Sequence, residues 1–130
     1  MRIQHPIAWT LLGGIALGAT VVEGLHAQSR PPTYVVIEVS AYSDPEGFKA
    51  VPASAAASPA GTAQLGGRYI IRSDATTALE GTPPKRFVVI AFDSKEKAQA
   101  WHDAPETKAV NAIRNKTTTS RVFMVEGFAN

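Results

Sequence analysis

The chain has 130 residues, with 13 lysines and arginines against 11 aspartates and glutamates, and no cysteine. This length fits one domain, and the lack of cysteine excludes disulfides, thiolate nucleophiles and zinc–thiolate sites. A net charge of +2, with no basic run longer than the pair Lys85-Arg86, does not support nucleic-acid binding.

Residues 1–27 have the pattern of a secretory signal peptide. Arg2 provides the positive start, residues 7–22 carry no charge, and Leu25-His26-Ala27 suits cleavage after the alanine. An uncleaved membrane anchor is the alternative, and the glycines within the short apolar run disfavour it. We expect cleavage, a periplasmic or secreted location, and no membrane association afterwards.

Residues 28–32 are predicted to be a linker, and residues 33–130 form the folded domain. The first strand is predicted over Thr33–Tyr42, where alternate residues fall on opposite faces. Asp44-Pro45 then has the chemistry of a helix start, with a capping carboxylate followed by proline at the first helical position.

The first helical region must be segmented, because Pro52 and Pro59 each remove a backbone donor. Gly66-Gly67 is typical of a helix C-cap and turn. A second strand, Arg68–Arg72, follows, and the turn-rich stretch Ala75–Pro84 is predicted to be a hairpin arm.

The third strand is the apolar run Phe87–Phe92, whose composition indicates cover on both faces. Ser94 is a natural cap for the next helix, which is predicted to break at Ala104-Pro105. We expect Thr117–Ser120 to be a polar break and Arg121–Phe128 to be the last strand. The apolar face of the second helical segment is assigned to Ala109, Val110, Ala112 and Ile113.

The element order is therefore β-α-β-arm-β-α-β, an α+β arrangement of the ferredoxin-like type. The first and last strands are apolar on both faces, whereas the helices can cover only one. A second sheet is the natural cover for the other face, so we expect a homodimer.

An ordered set of short segments runs through the domain: Tyr34-Val35-Val36, Asp44-Pro45 with Phe48, Gly66-Gly67-Arg68-Tyr69 with Arg72, Leu79-Glu80-Gly81, Arg86–Phe92, Ala98 with Trp101, Pro105-Glu106 and Val125-Glu126-Gly127. Together they resemble the domain-of-unknown-function 1330 family from about Tyr34 to Phe128. The resemblance implies a dimeric α/β barrel built from ferredoxin-like protomers, and it implies no established reaction. His102 and Thr107 depart from the family pattern.

Charged residues on buried strands are the first candidate site residues. Arg72 and Arg86 are expected either to form structural ion pairs or to bind an anion at the barrel mouth. Glu38 and Glu126 are the candidate catalytic bases, with a structural pairing to arginine as the alternative. We predict that at least one of the two arginines reaches an acidic side chain, with Glu38 and Glu126 as the first candidates.

Tyr34, Trp101 and His102 complete the candidate ligand-binding residues. Trp101 is more typical of a core position, and His102 of a solvated helix face. His102 is the sole histidine after cleavage and cannot make a metal site within one protomer, so we predict neither metal nor cofactor.

Three functions stay open at this point. The first is an exported homodimer that binds a small anionic or aromatic molecule. The second is a cofactor-free isomerase or monooxygenase that works by proton transfer in the barrel. The third is a structural protein without a ligand. The lining of the interior cavity discriminates among them.

Overall fold

Residues 30–129 are those that the computed structural model describes, and four of their segments form one antiparallel sheet. The predicted signal peptide lies outside these residues. The sheet order is β2-β3-β1-β4, the ferredoxin-like order that the sequence predicted. The strands are β1 (Thr33–Tyr42), β2 (Arg68–Ser73), β3 (Arg86–Phe92) and β4 (Thr118–Glu126).

The helices begin where the capping residues predict. The Asp44 carboxylate accepts a hydrogen bond from the Gly47 amide at 3.0 Å, and Ser94 Oγ accepts one from the Lys97 amide at 3.2 Å. No helix within residues 30–129 is long and apolar enough to cross a membrane. The helices are α1 (Pro45–Phe48), α2 (Ala50–Ala53), α3 (Pro59–Gln64), α4 (Lys95–Asp103) and α5 (Pro105–Thr117), with a 3₁₀ turn at Ala55–Ala57.

Proline and glycine divide the first helical region into short pieces, as expected. Pro59 opens α3, and Ser58 Oγ accepts a hydrogen bond from the Gly61 amide at 3.0 Å. Gly66 has a φ of 88°, a left-handed conformation that glycine adopts at low cost, and it returns the chain to β2.

The predicted polar break at Thr117–Ser120 is wrong, because α5 runs to Thr117 and β4 starts at Thr118. The hydroxyls of Thr117 and Thr118 form hydrogen bonds to the last turn of α5. Thr117 Oγ1 donates to the Ile113 carbonyl and Thr118 Oγ1 to the Arg114 carbonyl, both at 2.7 Å. The Thr118 amide also donates to the Arg114 carbonyl, and the Thr117 carbonyl accepts from the Ser43 and Asp44 amides at 2.9 and 3.1 Å. The end of α5 is therefore hydrogen-bonded without a linker, and the chain passes directly from helix to strand.

The predicted arm is an irregular loop, residues 74–85, that joins the antiparallel strands β2 and β3 and forms no strand of its own. Pro83 and Pro84 lack the donors that a ladder needs. Thr76 Oγ1 donates to the Pro84 carbonyl at 2.6 Å and closes the loop near its base.

The strand register defines two faces of the sheet. The helix face carries Val35 and Ile90, which pack with Trp101 of α4 in the core. The open face is the opposite side, which carries Val36 and the residues paired with its neighbours. Three apolar side chains of the open face are substantially exposed: Ile71 (44%), Phe123 (42%) and Val125 (47%).

Candidate functional site

A cavity of about 60 Å³ lies between the helix face and the helices. Its sheet wall is formed by Ile37 and Val39 of β1 together with Val88 and Ile90 of β3. This is room for roughly four to six water molecules, or for a small organic ion of similar size. The core is therefore not completely filled.

Three arginines line this otherwise largely apolar space: Arg72 of β2, Arg86 of β3 and Arg114 of α5. No acidic side chain of residues 30–129 lines it. Guanidinium groups have five donors and no acceptor, so the polar part of the lining favours acceptors that carry negative charge.

Arg114 is the most deeply buried of the three, with 6% of its surface exposed. Its Nη1 donates to Asn111 Oδ1 at 2.7 Å and its Nε to Ser120 Oγ at 3.3 Å. Both partners are neutral, and among the described carboxylates none lies within 4 Å of this guanidinium. Burial lowers the pKa of Arg114, because the charged form has lost water without gaining a counter-charge.

Arg86 is different, because it has a carboxylate partner. Its Nη1 lies 2.7 Å from Asp74 Oδ1, and the Arg86 side chain is 13% exposed, whereas that of Asp74 is 67% exposed. The guanidinium also lies 5.7 Å from the centre of the Phe48 ring. Asp74 thus neutralises Arg86 from the solvent side of the cavity.

Arg72 binds the 3₁₀ turn that covers the cavity on the side opposite the sheet. Its Nη1 donates to the Ala57 carbonyl at 3.0 Å, and the Tyr69 hydroxyl donates to the same carbonyl at 2.7 Å. The guanidinium lies 5.0 Å from the centre of the Tyr69 ring. Two side chains of β2 therefore fix the 3₁₀ turn above the sheet.

The register gives the cavity a polar end and an apolar end. Val39 pairs with Arg86 on one side and with Ser120, the partner of Arg114, on the other. Farther along β3, Ile90 lies beside the ring of Trp101 in the core. A bound molecule would therefore meet two guanidiniums near Val39 and apolar surface toward Trp101.

The structure brings Arg72, Arg86 and Trp101 of the candidate residues together around the cavity. Glu38 is on the open face, where it pairs with Arg121. Glu126 is exposed at the far end of β4, opposite Thr33.

The prediction that at least one of these arginines reaches an acidic side chain is confirmed for Arg86, but its first candidates, Glu38 and Glu126, are wrong. Glu38 pairs with Phe87, one residue beyond Arg86, and neighbours in a strand point to opposite faces. The two glutamates also lie on opposite faces from each other, so they do not share an interior. Asp74 of the loop, residues 74–85, is the acid that Arg86 contacts.

Tyr34 and His102 do not line the cavity either. Tyr34 is on the open face, between Ala91 and Val125. His102 is half-exposed on α4, with Nδ1 3.5 Å from Asp103 Oδ1. Within residues 30–129 there is no cluster of three or more His, Cys, Asp or Glu side chains that could hold a metal ion.

Arg114 and Asn111 were not predicted, because the apolar face of α5 was assigned to Ala109, Val110, Ala112 and Ile113, of which only Val110 and Ile113 are half-buried. Ala109 and Ala112 are exposed, and the buried face instead carries Thr107, Arg114 and Thr117. Thr107, Val110 and Arg114 are three and four residues apart, so they lie on one face of α5. This spacing could have identified Arg114 as a buried residue.

The model of one protein family, described as a domain of unknown function (DUF1330), matches residues 32–128. The chain belongs to the DUF1330 family. No curated protein matches its sequence. The ferredoxin-like architecture above is thus the fold of this DUF1330 member.

Solved structures share this fold at low sequence identity. A protein of unknown function from Rhodopseudomonas palustris is 15% identical with a TM-score of 0.60, over 85% of this chain and 94% of that one. SnoaB, a cofactor-independent oxygenase from Streptomyces nogalater, is 15% identical with a TM-score of 0.52, over 77% and 96%. A putative antibiotic biosynthesis monooxygenase from Nitrosomonas europaea is 12% identical with a TM-score of 0.52, over 76% and 92%. These likenesses show the fold alone.

Proposed function

We propose that this DUF1330 protein binds a small organic anion in the cavity between the sheet and the helices. The observation that carries the proposal is Arg114, a guanidinium that is 6% exposed and has only neutral partners. A buried charge is costly unless it is paired, and a ligand carboxylate would provide the missing counter-charge.

The volume and the lining of the cavity also restrict the size of the ligand and the position of its charge. The cavity of about 60 Å³ admits a molecule of a few heavy atoms, with a charged head near Val39 and an apolar body toward Trp101. A short-chain carboxylate has this shape and charge. A salt-bridged hydrogen bond to the buried guanidinium would contribute about 1.5–3 kcal/mol to its binding.

Binding without a reaction is favoured over the cofactor-free enzyme. An isomerase or monooxygenase of that kind needs a proton acceptor beside the substrate. Glu38 and Glu126 are outside the cavity, and the described lining contains no carboxylate. SnoaB is an oxygenase by its own description, but at 15% identity it supports only the fold. The cavity likewise argues against a structural protein with a filled core.

The test is a fluorescence titration with butyrate. Trp101 lines the cavity, and Trp9→Phe in the full chain leaves Trp101 as the sole tryptophan. We expect saturable butyrate binding by Trp9→Phe protein and little response to butyramide, which has the same shape without the charge. Adding Arg114→Met should weaken butyrate binding roughly ten- to hundredfold.

Arg121→Met is the matched control, because it removes the same charge from the open face, where the Arg121 side chain is 74% exposed. It should leave butyrate binding unchanged. Equal responses to butyrate and butyramide, or full butyrate binding by Arg114→Met, would contradict the proposal.

A homodimer is the second part of the proposed function. Ile71, Phe123 and Val125 make an exposed apolar patch in the middle of the open face. Sheets with one apolar face are commonly covered by a second sheet. The open face of a second copy has the same apolar character, so it supports pairing of two protomers through their sheets.

Export is also part of the proposal, and it rests on the sequence of residues 1–27. We propose cleavage after Ala27 and a periplasmic or secreted location. The folded domain begins shortly after this site, with β1 starting at Thr33.

A further inference from the structure

Arg86 is the one arginine of the cavity that already has a carboxylate within salt-bridge distance among the described residues. Asp74 provides it from the loop between β2 and β3, outside the apolar lining. Arg114 has no such partner, and Arg72 donates to a backbone carbonyl. The cavity therefore presents a buried guanidinium, Arg114, and a half-buried one, Arg72, that have no carboxylate partner among the described residues, and one, Arg86, that is neutralised from its rim.

The two guanidiniums belong to opposite sides of Val39. Arg86 is on β3, and Arg114 bonds Ser120 on β4, with β1 between these strands. Neighbouring strands are about 4.8 Å apart, so the Arg86 and Ser120 backbones are separated by roughly 10 Å. A short dicarboxylate could span this gap only if Arg86 were available to its second carboxylate.

We propose that Asp74 sets the charge selectivity of the cavity, so that it accepts monocarboxylates and discriminates against dicarboxylates. The inference rests on the proposed function, because it assumes an anion on Arg114. With Asp74 on Arg86, a second ligand carboxylate would meet a guanidinium that is already neutralised, close to a like charge. Specificity of this kind comes from a repulsive element built beside the attractive one.

The experiment compares butyrate with succinate, which has the same number of carbons and a second carboxylate. Both are titrated against Trp101 fluorescence in the full chain that carries Trp9→Phe. We expect this protein to bind butyrate more tightly than succinate. Asp74→Asn should raise succinate affinity roughly two- to fivefold and change butyrate affinity much less, because it frees Arg86.

Asp93→Asn is the control for net charge. Asp93 pairs with Lys97 on the surface and does not line the cavity, and its replacement changes the total charge by the same amount. It should change neither affinity.

The outcomes separate the two proposals. If butyrate binds and Asp74→Asn leaves the butyrate-to-succinate ratio unchanged, the inference about Asp74 is overturned while the anion site stands. Equal gains in Asp74→Asn and Asp93→Asn would mean a general charge effect and would also overturn it. Failure of both ligands to bind overturns the proposed function itself.

Discussion

Replacing Phe123 by glutamate should convert the proposed homodimer into a monomer. Phe123 lies on β4 beside Val36 of β1 and is 42% exposed in the middle of the open face. The Arg121 guanidinium, which already pairs with Glu38, lies 5.7 Å from the Phe123 ring, so the new carboxylate would be half-exposed to water and close to a positive charge. The monomer fold should therefore tolerate Phe123→Glu, whereas a sheet-to-sheet interface should not.

The magnitude follows from the exposed apolar surface. Complete burial of an Ile, Phe or Val side chain contributes roughly 1.5–3 kcal/mol. Ile71, Phe123 and Val125 are each between 42% and 47% exposed. The six such side chains of two copies would therefore contribute about 4–8 kcal/mol to association.

Phe123→Glu removes two of these side chains from a dimer and desolvates two carboxylates. The expected loss is at least about 3 kcal/mol, or more than roughly a hundredfold in the dimer dissociation constant. Sedimentation equilibrium should give a dimer mass for the wild type and a monomer mass for Phe123→Glu at the same concentration.

Ala100→Glu is the control for this variant. Ala100 is exposed on α4, which covers the other side of the sheet, so the same negative charge there should leave a dimer intact. A wild type that sediments as a folded monomer would refute the reasoning. So would a Phe123→Glu protein that stays dimeric.

Two further variants test the packing around Gly67 and the ionisation of Tyr42. Gly67→Ala should lower the free energy of unfolding in urea by about 1–3 kcal/mol, because its methyl would lie 2.8 Å from both Phe92 Cζ and Thr62 Cγ2; an unchanged urea midpoint would contradict this. In an absorbance titration, Tyr42 should ionise above its ordinary pKa of 10, because burial first and Asp74 second raise its pKa. Neutral Tyr42 thus stabilises the fold fully below pH 10, and this stability is lost as the pH rises through the raised pKa. Tyr42→Phe should remove the late-ionising phenol, and a titration identical to that of the wild type would exclude this assignment.

Much of the fold could be predicted because local chemistry and tertiary structure agree. Alternation predicted β1 over Thr33–Tyr42, the bounds that the structure has. Ser94 and Pro105 mark the starts of α4 and α5, since a cap hydroxyl and a proline each fit one helical position well. The start of β4 could not be predicted, because threonine has poor helix propensity, and yet the Thr117 carbonyl that ends α5 is bonded by the Ser43 and Asp44 amides, which are distant in sequence.

The candidate site was predictable in part. Arg72 and Arg86 were selected as charges on buried strands, and both line the cavity. The register separates Arg86 from Glu38, because Glu38 lies opposite Phe87 and neighbouring residues of a strand point to opposite faces. The uniformly apolar sequence of β3 does not reveal that register. Asp74 could not be found in this way, because its contact with Arg86 depends on the path of an irregular loop. Arg114 was not selected, because Ala109 and Ala112 were assigned to the apolar face of α5 beside Val110 and Ile113, and both alanines are exposed.

The direct passage from α5 into β4 restricts how the gene can change in length. One inserted residue at the Thr117–Thr118 junction would turn the following strand over, exchanging Val122 for its neighbour on the helix face. One inserted residue within α5 would rotate Arg114 by about 100° relative to its Ser120 partner. Natural insertions and deletions should therefore be excluded from this junction. They should accumulate in residues 74–85, where the backbone has no strand register to preserve.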